Sequence, residues 1–178
     1  MSLQMHLGCI VALASCVGAQ VPVAETFRDR AGSFVAHFPA GWKIDRESST
    51  FTILSFDPSK RPPQFLVPQD GARIAVARPP AGTGSIAGWL RDERVKPESG
   101  DAIATSDVQT IHLGKITVTA VRRHTEAIPE GTLLEYFLDL GDRPLCVALF
   151  YRGQRRAEYF EGAALAVVQN LEIANDRK

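Results

Sequence analysis

Thr132-Leu133-Leu134-Glu135-Tyr136-Phe137-Leu138-Asp139-Leu140, then Gly141-Asp142-Arg143-Pro144, then Leu145-Cys146-Val147-Ala148-Leu149-Phe150-Tyr151: this stretch decides the fold. Two runs rich in aromatic and aliphatic residues flank a turn made of Gly, Asp and Pro, so they pair as an antiparallel hairpin. A parallel pair would need a crossover of about a dozen residues. Upstream, Ile116-Thr117-Val118-Thr119-Ala120-Val121 is a further strand. Gly114-Lys115 suits a two-residue turn back to an extended segment, Ile103 to Leu113. Pro129-Glu130-Gly131 turns the chain into the 132–140 run. Downstream, Phe160, Ala163, Ala164, Val167, Val168 and Leu171 recur at helical spacing, with Glu158, Glu161, Gln169 and Asn170 largely off that stripe. A terminal helix lying on one face of an up-and-down sheet is the expectation.

The first half adds strands. Ser33 to Phe38 alternates, Pro39-Ala40-Gly41 turns, and Trp42-Lys43-Ile44 resumes the pattern. Thr50 to Phe56 is β-branched and aromatic. Asp57 to Gly71 is proline-rich and reads as a long loop. Arg73 to Ala77 is a short strand stopped by Pro79-Pro80. Ser85 can cap a helix to about Val95, with Ile86, Trp89 and Leu90 on one face. The class is α+β.

The chain has 178 residues, 20 Lys+Arg against 20 Asp+Glu, and 45% hydrophobic residues. That length suits one domain, or a domain and a tail. A chain of this size buries about 70% of its unfolded surface, so it needs neither disulfide nor metal to fold. The absence of net charge speaks against a generally basic nucleic-acid binder and against an acidic disordered tail.

Met1 to Gln20 holds no Lys, Arg, Asp or Glu, and Leu7 to Ala14 (LGCIVALA) is a short apolar run. It is too short for a spanning helix and fits the apolar region of an export signal. Leu13-Ala14-Ser15-Cys16 resembles a bacterial lipobox, which makes Cys16 the lipidated residue; Val17-Gly18-Ala19 fits simple cleavage before Gln20. The expected organisation is a signal over 1–19, a tether over 20–27 and one domain over 28–175. The expected location is the cell envelope or periplasm, membrane-anchored through Cys16, with a secreted soluble form as the alternative. Cys146 is then the lone cysteine of the domain and reads as a small buried apolar residue.

Phe38-Pro39-Ala40-Gly41-Trp42-Lys43, the Asp57-Pro58 that follows, the mid-chain Trp89-Leu90 helix, the meander, and a terminal helix ending near Leu171-Glu172-Ile173 resemble the PsbP/Mog1/DcrB-like superfamily. The resemblance implies an α/β/α sandwich around an antiparallel sheet of about six strands. It also implies a mainly non-enzymatic role, as in photosystem II extrinsic subunits, a Ran-binding nuclear factor and bacterial envelope lipoproteins. The lipoprotein branch matches the export signal.

Chemical motifs are sparse. Gly82-Thr83-Gly84-Ser85-Ile86-Ala87 imitates a dinucleotide fingerprint, but Arg78-Pro79-Pro80-Ala81 separates it from its strand and the later strands are hairpins. A loop capping a helix explains those glycines. His37, His112 and His124 lack metal-ligand spacing, and no nucleophile elbow is present. No catalytic residue, metal or cofactor is assigned. Arg122-Arg123-His124 and Arg152, Arg155 and Arg156 form two basic clusters, which suit a solvated edge or an acidic partner. Phe65, Leu66 and Val67 form an apolar patch in the long loop or fold back onto the sheet. The residues expected to contact an envelope protein partner are Phe65, Leu66, Arg155 and Arg156. An enzyme or small-molecule carrier using Trp42, His37 or Asp57 in a cleft is the alternative. Mass spectrometry of the protein isolated from cells is expected to find a chain starting at a diacylated Cys16 or at Gln20. An untrimmed chain soluble in the cytoplasm would end the export reading.

Overall fold

The computed structural model describes residues 23–29, 34–45, 50–62, 67–78, 86, 108–113, 116–124, 130–139 and 144–173. Seven strands form one antiparallel sheet: β3 (Lys43–Ile44), β4 (Phe51–Leu54), β5 (Ala72–Ala77), β6 (Val108–Leu113), β7 (Ile116–His124), β8 (Gly131–Leu138) and β9 (Leu145–Arg152). Their order is β3-β4-β5-β9-β8-β7-β6. The expected meander is its β7-β8-β9 part. Register lines up Ala120, Tyr136, Val147, Val76 and Phe51 in one row across five strands. All five are buried, because strand alternation sends the row to one face, here called the inner face.

Two elements cover the inner face side by side. One is the helix α1 (Ala157–Gln169), whose Phe160, Ala163, Ala164, Val167 and Val168 are fully buried, as its spacing predicts. The other is a second sheet, in which β2 (Phe34–Pro39) lies between β1 (Val23–Arg28) and β10 (Glu172–Ile173). Phe34, Ala36 and Phe38 point inward from β2. Phe27 of β1 stacks on Phe51 with centroids 4.2 Å apart, and Phe38 meets the same ring at 5.8 Å.

One expectation needs correction. Residues 23–27 of the expected 20–27 tether belong to β1, because Phe27 finds an aromatic seat against Phe34 and Phe51. The expected antiparallel sheet of about six strands has seven among the described residues, with a smaller sheet of three beside it. The strand at Phe34 leaves the main sheet to pair with β1 just before it and with β10 after α1. On the opposite, outer face, Ile86 is helical and packs with Val121, Phe137 and Cys146. The rest of the expected Ser85 helix, with Trp89 and Leu90, lies outside the described residues, as do residues 1–22.

Turns behave as their residues dictate. Gly41 has φ +84° in the Pro39–Trp42 reversal, a conformation side chains avoid. Gly153 has φ +78°, and a Cβ there would sit 2.7 Å from Asp70 Oδ1. In the long loop, Asp57 caps a single 3-10 turn, Pro58–Lys60, and Val67 is fully buried.

One polar cluster fastens α1 to the sheet. Arg122 of β7 donates to both carboxylate oxygens of Glu161, at 2.9 and 3.0 Å, and also to the Tyr151 hydroxyl, at 3.3 Å. Tyr151 in turn donates to Glu161 Oε1 at 2.8 Å. Those hydrogen bonds donated to Glu161 hold Arg122 above the ordinary guanidinium range. Burial, with Glu161's charge behind it, raises the pKa of Tyr136, and burial followed by the Glu161 bond raises that of Tyr151. A partly exposed ion pair contributes about 1 kcal/mol or less. Each fully buried Phe or Val contributes about 1.5–3 kcal/mol. The apolar stripe therefore holds the helix, and the polar cluster fixes its register.

Two measurements check this. Phe51→Ala removes the ring shared by Phe27 and Phe38 and is expected to cost about 3–5 kcal/mol in urea unfolding; a cost near zero would show that the two sheets are not packed through it. Raised tyrosine pKa values mean that the fold holds these protons more tightly than the unfolded chain does. That stability is whole below the ordinary value of 10.0 and drains as pH rises past it. Tyr136→Phe should therefore show a shallower alkaline loss than the parent, and equal slopes would remove burial as the cause.

Candidate functional site

Only Gly153-Gln154-Arg155-Arg156 separates β9 from α1, so the helix starts right at the sheet end. Arg155 and Arg156 are exposed there. Arg156 occupies the N-cap position without a side-chain cap bond. Its guanidinium lies instead over the rings of Tyr159 and Phe160, 4.9 and 5.0 Å from their centroids. Such contacts contribute about 0.5–1 kcal/mol at exposed sites and hold the charge in place.

Behind this arginine stands an aromatic wall. The Trp42 indole N–H donates to the Tyr159 hydroxyl at 3.3 Å, and Trp42 meets Phe160 edge-on at 6.3 Å. Trp42 itself is 2% exposed, so its faces are closed to a stacking ligand. Tyr159 is 39% exposed and Ile44 is 36% exposed; they are the large hydrophobic side chains that face solvent among the described residues. Ile44 follows Trp42 by two positions on the edge strand. The site is thus an ordered surface of Tyr159, Arg155 and Arg156, backed by Trp42.

Of the expected contact residues, the structure places Arg155 and Arg156 here; Phe65 and Leu66 lie outside the described residues. Val67 is buried and contributes nothing to an exposed patch. The two basic clusters do approach each other, since Arg122 reaches Tyr151, but Arg122 is spent on Glu161 and Arg152 donates to the Val67 carbonyl at 3.3 Å. Arg123 and His124 hold strand positions, with side chains outside the described residues. Tyr159 was missed, because sequence spacing places it just off the buried helical stripe.

The groups with chemical potential are engaged elsewhere. His37 bonds Thr26 Oγ1 through Nδ1 at 3.2 Å and Glu172 Oε1 through Nε2 at 3.1 Å. Hydroxyl, imidazole and carboxylate fall in the order of a nucleophile relay. The row stands on an open sheet face, however, with Glu172 69% exposed, and it ties both edge strands to β2. Asp57 accepts from the side chain and backbone of Ser59, which lowers its pKa. Cys146 is buried and forms no disulfide. Among the described residues no group of three His, Cys, Asp or Glu is placed to hold a metal ion, and no helix is long and apolar enough to cross a membrane.

No known family profile matches the chain, and no curated protein matches its sequence. Solved structures do. A Bacteroides thetaiotaomicron protein aligns with a TM-score of 0.56 at 14% identity, over 88% of this chain and 51% of that one, so this chain spans about half its length. The cyanobacterial PsbP of Synechocystis, CyanoP, aligns at 0.50 with 12% identity, over 91% of this chain and 99% of that one. The Saccharomyces cerevisiae Ran-binding protein Mog1p aligns at 0.49 with 10% identity, over 85% and 96%. At these identities the likeness is one of architecture: the chain has a PsbP-like α+β fold.

Proposed function

We propose that this protein is a non-catalytic binding domain of the bacterial cell envelope, exported and anchored through a lipid on Cys16. Its contact surface is the Tyr159, Arg155 and Arg156 patch, and its partner is a protein that offers an acidic segment. One observation carries the proposal: Arg156 is laid over Tyr159 and Phe160, with Trp42 bracing the tyrosine from behind. Tyrosine and arginine dominate the energetics of protein interfaces, and groups ordered in advance lose less entropy on binding. Neighbouring positive charge selects a negative partner. The N-terminal sequence supports the envelope setting, since its uncharged apolar run ends at a lipobox-like Cys16. Phe65 and Leu66 belong to the proposed contact set on sequence grounds alone. The carrier or enzyme alternative gains no support from Trp42, His37 or Asp57, each of which is held in a structural contact.

A photo-crosslinking amino acid at Tyr159, expressed in cells in the full chain, tests this. One reproducible adduct is expected, and it should vanish when Arg155→Glu and Arg156→Glu are added. Yields at Tyr159 no higher than at His112, an exposed position on β6, would sink the proposal.

A further inference from the structure

The seven-stranded sheet ends on one side at β6, and among the described residues nothing pairs with the outer side of that strand. Bond phase decides which of its backbone groups are left over. Arg152 donates its amide to the Gly71 carbonyl at 3.1 Å, so the even-numbered residues of β9 bond toward β5 and the odd-numbered ones toward β8. Antiparallel bonding alternates along each strand. Carried across β8 and β7 at the observed register, that alternation assigns Gln109, Ile111 and Leu113 to the bonds with β7. The amides and carbonyls of Val108, Thr110 and His112 therefore face outward.

The other sheet edges are guarded. β3 and β10 are each two residues long and carry Lys43 and Glu172. β1 carries Glu25 and Arg28, and its register shifts between Val23 and Glu25. Shortness, charge and irregularity are the usual means of blocking strand addition. β6 has none of them. It runs for six residues, Val108–Leu113, without Lys, Arg, Asp, Glu or Pro, and it pairs with β7 without a shift. Ile111 and Leu113 pack on the inner core and Val108 on the outer cluster, so the strand is held rigid. Thr110 and His112 are exposed.

We propose that β6 pairs antiparallel with β6 of a second copy of this chain, about a two-fold axis at Thr110. That register sets Thr110 opposite Thr110 and Val108 opposite His112, so every outward amide and carbonyl of the strand meets its complement. Each of these pairs exchanges two N–H···O bonds. A strand without charge cannot select a foreign protein electrostatically. In sequence Asp107 precedes β6 and Lys115 follows it, so antiparallel copies bring opposite charges to each end of the seam. The assembly closes at two, because a two-fold contact uses the same patch on both copies and the far edge, β3, is short and charged. No residue of the Tyr159 patch takes part, so this pairing stands apart from the contact surface proposed above.

Sedimentation of the protein isolated from cells is expected to show a dimer that dissociates on dilution. Thr110→Lys sets like charges face to face at the axis and should leave a folded monomer, since the position is exposed and its backbone does not bond β7. Thr110→Cys should close a disulfide between copies under mild oxidation, because bonded pairs stand about 5.5 Å apart. Gln109→Cys should not, because position 109 faces Ile111 of the second copy and its own counterpart lies on a diagonal of about 7–8 Å. Arg155→Glu should dimerise like the parent. A photo-crosslinker at His112 should capture a second copy of this chain, and only its adducts with other proteins count as background for Tyr159. The proposal falls if the parent is monomeric at every concentration, or if Thr110→Lys still dimerises. It also falls if cysteines at 109 and 110 close equally well, or if His112 captures a different protein in place of a second copy.

Discussion

A sheet of seven strands is wider than any single helix can cover. At about 4.8 Å between strands it spans about 29 Å from edge to edge, whereas a helix with its side chains is about 10 Å across. The inner face would stay wet if α1 were its only lid. The fold meets this constraint by taking β2 out of the main sheet and laying it beside α1. β2 then needs partners of its own, and the two ends of the domain supply them: β1 from before it and β10 from after α1. Phe51 is the point where the layers meet, since Phe27 and Phe38 both rest on it.

The polar groups follow from the same geometry. A three-stranded lid made from the chain's two ends has two edges to secure. His37, at its centre, reaches Thr26 on one side and Glu172 on the other. The helix, placed next to that lid, needs its rotation set, and the Arg122–Glu161–Tyr151 cluster sets it. Groups that look chemical when taken singly are thus consumed in holding the layers together. What the fold leaves outside this framework is the turn from β9 into α1 and the charged outer face near β3.

Elements with a strong period were legible. β7, β8 and β9 alternate or run apolar between clear turns, and α1 keeps its 3.6-residue stripe from Phe160 to Val168. β1 was not legible. Glu25 and Arg28 make it look like a linker, and among its described side chains Phe27 alone is fixed inward, by rings that lie at positions 34 and 51. The partition into two sheets was hidden as well, because β10 reaches β2 from the far end of the domain, and such a pairing leaves no local trace. Arg155 and Arg156 could be read as a basic surface, but the loss of Arg122 to Glu161 could not: that pair joins residues 39 positions apart and exists only at the observed register. Arg61 and Asp45 are likewise apart in sequence and brought together only by the fold.

The edge strand β3 shapes how a partner can dock. Strand addition to an exposed edge needs a row of free backbone groups several residues long. β3 offers two residues, Lys43 and Ile44, and Lys43 puts a charge on that edge. Short, charged edges of this kind discourage strand addition. Asp45 has already turned its amide to the Thr52 carbonyl. A partner approaching this side therefore meets side chains, not a template: Ile44 and Tyr159 toward the inner face, and Lys43, Arg61 and Arg73 toward the outer. Selectivity here rests on aromatic shape and on charge, and a single extended peptide would gain little from the backbone.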